Sequence, residues 1–363
     1  MRAVVGVSMG SSAIRAAVMD PSGRALLGTE TIHVTDPETR LAAALSMVDS
    51  VTQRHQADRD VAVLVVPDDP ASRIGHNILE IHDGGAVRLA SELGAQLMYL
   101  RMRGLLAPSR TVAVVDIGRT GTSLSIVDSS SGHVFDAVWT DTFRGDVFAE
   151  SVYDHLVTEF GEADSMTPDV LDRLAEGVEW SLEMLALHRV VRIGGPFAGG
   201  SVNLWRTTLD SLVAEHVDYA VDWVRGAVQR SPRSVDSVVL LGGCANLSVV
   251  HDAFVQSWGN ALVAPSSPES VAAKGAALLA VQRVRAGARP QNRQPQNQQA
   301  QRPSPTERPV AQQNSVQQQR PPQQSRPVST MQAPHPVAAP AAQPRPQHQR
   351  PPQRPQARMP RHA

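Results

Sequence analysis

The sequence predicts an α/β protein built from two duplicated halves around a cleft, followed by a tail without a core. Three observations predict it. A series of strands and helices over residues 1–109 begins again at residue 110. Several strands are apolar throughout, as in VAVLVV (61–66) and SVVLL (237–241), the pattern of strands covered on both faces. Composition then breaks near Ala286: residues 286–363 hold 17 of the 27 prolines, many glutamines and no Phe, Trp or Tyr.

In the first half, residues 3–9 and 13–19 read as strands joined by GSS, and ALLGTETIHV (25–34) as a third. PETRLAAALSMVDSVTQRHQ (37–56) has helical periodicity and opens on Pro and acid, as helix starts do. A buried strand at 61–67, a helix near 78–93, a strand AQLMYL (95–100) and a short helix before Pro108 complete the half. The second half repeats the plan. TVAVVDIG and TSLSIVD form a hairpin, and HVFDAVWTDTF (133–143) is a third strand. Helices are expected near 146–160, 168–186 and 207–230, with a glycine-turned hairpin between the last two. SVVLLGG, NLSVVHDAFVQSW, ALVAP and ESVAAKGAALLAVQRV then read as strand, helix, strand and helix. A duplication of this kind places a cleft between its halves, where ligands commonly bind. The domains expected are therefore a first half at 1–109, a second at 110–285 and a tail at 286–363.

The tail cannot bury enough apolar surface to offset its ordering entropy, so disorder is expected there. It carries 11 Arg and one acid, Glu307, for +10. Removing these from totals of 34 basic and 35 acidic side chains leaves 23 and 34 on residues 1–285, or −11. A net charge of −1 thus combines an acidic body with a basic tail. The only lysine is Lys274 and the only cysteine Cys244, which excludes an internal disulfide and any multi-cysteine metal site. No apolar run reaches ~18 residues, so no membrane span is expected. Gly, Ser and Arg15 interrupt the opening segment, which reads as two strands better than as a signal peptide. The default location is the cytoplasm.

Five motifs in order carry a family resemblance. They are VVGVSMGSSAIRAAV, VVDIGRTGTSLSIV, FRGDVFAESVYDHLVTEFG, VVLLGGCANLSVVHDAF and SPESVAAKGAALLA. Together they resemble the actin-like ATPase superfamily, and most closely the nucleotide-binding domain of the 70-kDa heat-shock chaperones. The resemblance covers roughly residues 3–285. It implies an actin-like fold and a site for ATP or ADP with Mg²⁺ between the halves. By its motifs Gly10, Ser11, Ser12, Gly118, Arg119, Thr120, Gly121 and Gly145 would face the phosphates. Glu176, Gly242, Gly243 and Glu269 would lie on the adenosine side. Glycine lets a turn's backbone N–H groups approach a phosphate closely. Asp116, at the end of its strand, would orient a metal-bound water.

The sequence also departs from the family. Ser8 stands where the resemblance expects the Asp that holds the Mg²⁺ water shell, and a hydroxyl is a poorer partner for a hard cation. Arg119 breaks the glycine run, and Gly121 and Ser123 stand for a Thr and an Asp, with Thr120 or Thr122 as substitutes for the Thr. Arg101 and Arg103 occupy the segment joining the halves, where a Glu is usual, and the first half is too short for the catalytic Lys. Cys244 replaces a Ser, Asn246 a stacking Arg, and Glu179 and Trp180 a basic pair. Arg119 reads equally well as a phosphate ligand or as a solvent-facing turn residue. Trp180 reads as a helix-packing residue or as a base-stacking one. Asp68 and Asp69, after the strand VAVLVV, are replacement metal or base groups, or turn residues. There is no G-x-x-x-x-G-K-[ST] and no strand-linked G-x-G-x-x-G.

The function expected is a chaperone-type nucleotide-binding protein with weak or no hydrolysis. No β-sandwich pattern follows the last helix, so peptide refolding is not expected. The alternative is a non-enzymatic scaffold with a degenerate site, and a small-molecule kinase of the same superfamily ranks third. The tail, with RPPQQSRP and QRPPQRPQ, is expected to dock a protein partner. Its lack of aromatics and its dispersed charge argue against nucleic acid.

Overall fold

The protein is described by a computed structural model covering residues 3–34, 36–57, 61–67, 87–108, 110–162, 164 and 166–287. Asp68, Asp69 and nearly all of the basic tail lie outside the described residues. The first sheet contains β1 (Val4–Met9), β2 (Ala13–Met19), β3 (Leu26–His33), β4 (Val63–Val66) and β5 (Arg88–Ser91), in the order β3-β2-β1-β4-β5. The second contains β6 (Thr111–Ile117), β7 (Thr122–Asp128), β8 (Val134–Thr140), β11 (Ser237–Leu241) and β12 (Leu262–Val263), in the order β12-β11-β6-β7-β8. In both sheets an antiparallel three-stranded meander is extended, beyond its first strand, by two parallel strands. The two sheets repeat one topology, as an actin-like two-lobed fold requires. The inserted hairpin is a separate ribbon of β9 (Val190–Gly194) and β10 (Ser201–Trp205), with Gly199 and Gly200 both at positive φ in its turn.

One face of the first sheet is covered by α1 (Pro37–Arg54). Its Ala44, Met47, Val48 and Val51 pack against Val5, Val7, Ile14, Ala16 and Val18. The helix starts at Asp36, whose carboxylate accepts from the N–H of Glu38, with Pro37 in the first turn. The matching face of the second sheet is covered by α3 (Gly145–Phe160), α5 (Arg206–Arg230) and α6 (Ser248–Trp258). The helix α4 (Pro168–Leu187) joins the same core through Leu174, Val178 and Leu185.

The remaining faces are covered by exchange. The helix α2 (Glu92–Met102), from the first half, packs Leu97 and Leu100 on Val112, Val114, Val127, Val239 and Leu241 of the second sheet. The helix α7 (Val271–Gly287), from the second half, packs Ala272, Ala273, Ala276 and Ala277 on Val4, Ala17, Val63 and Val65 of the first. The boundary near residue 109 therefore divides the sequence but not the packing, and the described residues form one compact unit.

The segment from 88 to 102 corrects the sequence reading. A strand at 88–91 precedes a helix at 92–102, so AQLMYL is helical and the C-terminal end of the expected 78–93 helix is strand. A short apolar run has no periodicity that separates strand from buried helix. The deciding signal is the cap: Ser91 accepts from the N–H of Gly94, with Glu92 in the first turn.

The exchange rests on two glycines. A Cβ on Gly6 of β1 would lie 2.0 Å from the backbone N of Ala277, and one on Gly275 of α7 would lie 1.8 Å from the carbonyl oxygen of Ala95 in α2. Substituting Gly275 by Ala tests this packing, because two effects oppose each other. Alanine favours a helix interior by about 1 kcal/mol. Forcing a methyl into a filled backbone contact costs about 1–3 kcal/mol, sometimes more. We expect Gly275→Ala to lower stability in urea denaturation. An increase would mean that α2 and α7 are not in backbone contact.

Candidate functional site

The two sheets place two hairpin turns of the same construction at the cleft. In the first, the Gly10 N–H donates to the Ala13 carbonyl at 3.0 Å, with Ser11 and Ser12 between. In the second, the Gly118 N–H donates to the Gly121 carbonyl at 2.9 Å, with Arg119 and Thr120 between. The register agrees: Ser8 pairs with Arg15 in one hairpin and Asp116 with Ser123 in the other. A close neighbour accounts for Gly121, since a Cβ there would collide with the Trp139 indole at 2.5 Å.

The carbonyls of the second turn anchor α3. Gly145 N–H donates to Gly118 O, and Asp146 N–H to Arg119 O, each at 3.0 Å. Gly145 is buried, and a Cβ on it would sit 3.2 Å from Arg119 Cα and 3.3 Å from Cys244 Sγ. Arg119 neither projects into solvent nor points freely at a ligand. Its Nε donates to Asp146 Oδ1 at 2.8 Å, and its other side is ion-paired to Glu179 of α4. Glu179, in a position where the resemblance expects a base, thus pairs with an arginine in a turn where it expects glycine. The signs are exchanged and the pairing is internal.

Asp116, the next-to-last residue of β6, is partly buried. Gln96 of α2 donates to its Oδ2 at 2.6 Å, so an amide from the first half's helix holds the second half's carboxylate. Burial pushes the Asp116 carboxyl up to about 6, against the opposing influence of the Gln96 hydrogen bond and the Arg15 charge. Its other oxygen lies against Gly242: a Cβ there would be 2.6 Å from Oδ1 and 2.4 Å from the Ile117 carbonyl oxygen. Gly242 also sits at φ +92, so both space and backbone demand glycine. Gly243 differs. Its φ is not positive, no atom lies near where its Cβ would be, and it is exposed. Neither packing nor backbone explains the glycine at 243.

Beyond Gly243, Asn246 donates to Glu269 Oε2 at 2.9 Å, just before α7 begins. Cys244 is buried, and burial followed by the charges of Asp116 and Asp146 pushes its thiol up to about 12, so it is not a nucleophile. Glu176 is exposed on α4, and Trp180 on the same helix is half exposed rather than packed away. Asp68 and Asp69 lie outside the described residues.

Three residues near the cleft escaped the sequence reading. Gln96 was hidden by the assignment of AQLMYL to a strand. Arg15 is the register partner of Ser8. Arg40 of α1 is nine-tenths buried, and its Nη2 donates to the Ser11 carbonyl at 2.9 Å. The helical periodicity of α1 carried a signal for Arg40, since it lies four residues before Ala44 on the buried face.

Among the described residues the donor set does not fit a magnesium ion held by side chains. Ser8 is neutral and stands opposite a guanidinium, Asp116 is hydrogen-bonded to Gln96 with its carboxyl raised, and among the described residues no group of three or more His, Cys, Asp or Glu side chains could hold a metal. Among the described residues, too, no helix is long and apolar enough to cross a membrane.

Comparison with known proteins agrees with the fold. The family model described as "Hsp70 protein" matches residues 99–290. The chain is 26% identical over 224 residues to the Chaperone protein HscA homolog of Burkholderia pseudomallei (strain 668), covering 58% of this chain and 34% of that protein. It is 25% identical, with the same coverage, to the Chaperone protein HscA homolog of Burkholderia mallei (strain SAVP1). The chain thus spans about a third of the length of these curated relatives.

The raised Asp116 carboxyl gives a prediction. An acid whose folded pKa exceeds its ordinary 3.8 holds its proton more tightly when folded. It therefore favours the fold at low pH, and that advantage is lost as pH rises from about 4 through about 6. Asp116→Asn is neutral throughout and keeps an acceptor for Gln96. Thermal melts should show the variant more stable than the natural protein at pH 8, by at most about 3 kcal/mol, with the difference closing below about pH 4. A pH-independent difference would contradict the burial of this charge.

Proposed function

Because the chain belongs to the Hsp70 family, we propose that its cleft binds ADP or ATP, with the phosphates at the two hairpin turns and the purine over the Gly242–Gly243 turn. The observation that carries this reading is the matched pair of glycine turns, Gly10–Ala13 and Gly118–Gly121, on duplicated sheets with Gly243 open beside them. Ser11, Ser12, Thr120 and the adjoining backbone face the phosphates in this reading. Glu176 takes the ribose hydroxyls, and Trp180, half exposed on the same helix, stacks on the base. Gly145 and Arg119 act at one remove, fixing the second turn on α3.

Hydrolysis is slow or absent in this reading. Asp116 is the one acid at the end of the second hairpin's first strand, and its hydrogen bond to Gln96 occupies one oxygen that would orient a water. The same observation favours the second reading, a scaffold that holds nucleotide or nothing and acts through partners. The basic tail serves a partner in either case. Its arginines spaced among prolines suit an aromatic-lined groove on another protein.

Saturating ADP or ATP should raise the melting temperature of the full chain, since a ligand at about 100 times its Kd adds about 2.7 kcal/mol. Turnover should stay far below about 1 s⁻¹, and Asp116→Ala should remove what there is. No melting shift with either nucleotide favours the empty scaffold, and rapid turnover refutes the account of Asp116. For the tail, pull-downs with the full chain and with a chain ending at residue 285 should differ, the shorter one losing its partners. Recovery of the same partners by both would assign recognition to the folded body.

A further inference from the structure

Arg40 presents an unsolved electrostatic problem. It is nine-tenths buried; among the described residues its Nη2 donates to the Ser11 carbonyl, and its buried Nε has no hydrogen-bond partner. A buried guanidinium without a counter-charge is costly, and orphaned donors of this kind are rare in folded proteins. Burial is the main cause pushing the Arg40 pKa down, with the like charge of Arg119 adding to it and Asp36 opposing. Asp36, four residues earlier at the cap of α1, is exposed and makes no ion pair with it. Arg119 already has two carboxylates, Asp146 and Glu179, whereas Arg40 has no ion pair among the described residues.

A second guanidinium lies at the same turn. Arg15 Nη1 is 3.8 Å from the position of a Cβ on Gly10, and Arg15 is opposite Ser8 in the β1–β2 register. Directly opposed residues of an antiparallel pair point to the same face. Arg15 therefore carries its positive charge beside the hydroxyl that stands in place of a metal-holding acid. The same charge acts on Asp116 across the cleft.

We propose that the first hairpin turn binds the phosphates of the nucleotide without a divalent metal, Arg40 and Arg15 supplying the positive charge. This rests on the nucleotide reading above and gives it a chemistry the family resemblance does not imply. The guanidinium of Arg40, pinned at one end by Ser11, holds its charge behind the turn, and Arg15 offers its N–H groups to a phosphate oxygen beside Gly10. Charge-assisted bonds of this kind are the strong ones, and they need no metal to bridge oxygens.

The experiment is isothermal titration of the full chain with ADP, ATP and tripolyphosphate, each in excess EDTA and in excess Mg²⁺. The proposal expects ADP and ATP to bind in EDTA at least as tightly as in Mg²⁺, and tripolyphosphate to compete with them in EDTA. Arg40→Gln, verified as folded by its melt, should weaken binding about tenfold or more, and Arg15→Gln similarly. Neither substitution should abolish an adenosine contribution measured as the difference between ATP and tripolyphosphate. Nucleotide binding only in Mg²⁺ overturns the proposal and leaves the nucleotide reading standing. Tripolyphosphate binding in EDTA, with no gain from the nucleoside, keeps the anion site and overturns the nucleotide reading. No binding in either medium overturns both. If Arg40→Gln fails to fold, the comparison of EDTA with Mg²⁺ on the natural sequence decides alone.

Discussion

The helix α7 lies on β1 at a distance that only a hydrogen atom permits, with Gly6 facing the backbone of Ala277 and Gly275 facing that of Ala95 in α2. The rest of the molecule depends on this crossing. It lets each half cover the other's sheet, so neither sheet has a complete core without the other half's helix. It also sets the position of α2, and α2 delivers Gln96 to Asp116. A contact made of small residues and backbone thus determines how one half's carboxylate meets the other half's amide. Interiors packed this closely pass small displacements on rather than absorbing them. Any change of angle between the sheets must therefore register at the Gln96–Asp116 bond.

The charges of the cleft follow a consistent rearrangement. Where the family resemblance expects a carboxylate, the protein has Ser8. Where it expects glycine, it has Arg119, and where it expects a base, Glu179. Arg119 and Glu179 cancel each other, with Asp146 as the third member. Asp116 remains, its charge disfavoured by burial and favoured by the Gln96 hydrogen bond and the Arg15 charge. What is left without compensation is Arg40 with its buried orphan Nε. The proposed anion site at the first turn rests on this remaining positive charge.

The fold was legible in the sequence because it rests on features of long range in the chain: a repeated order of strands, apolar runs buried on both faces, and glycine turns at corresponding places. The misreading at residues 88–102, with the short helix expected before Pro108 replaced by turn, came where an apolar run was too short to show a period and the cap at Ser91 was the discriminating signal. That misreading also concealed Gln96. Arg119 was read as a phosphate ligand or a solvated turn residue, and the structure assigns it to neither, because its partners Asp146 and Glu179 are 27 and 60 residues away in sequence. No local pattern announces a pairing of that kind. Arg40 illustrates the same limit: helical periodicity places it on the buried face of α1, but only the fold brings it to the carbonyl of Ser11, 29 residues earlier.

The central claim is that the two glycine turns and the Gly242–Gly243 turn form one ligand site. Hydrogen-exchange mass spectrometry on the full chain, with and without saturating ADP, tests it most directly, because it reads backbone amides at each turn separately. The account predicts slower exchange in the segments containing Gly10–Ala13, Gly118–Gly121 and Gly242–Asn246 together, with β9 and β10 unchanged. Unchanged exchange at these three turns in the presence of bound ADP, or protection confined to other segments, would contradict it.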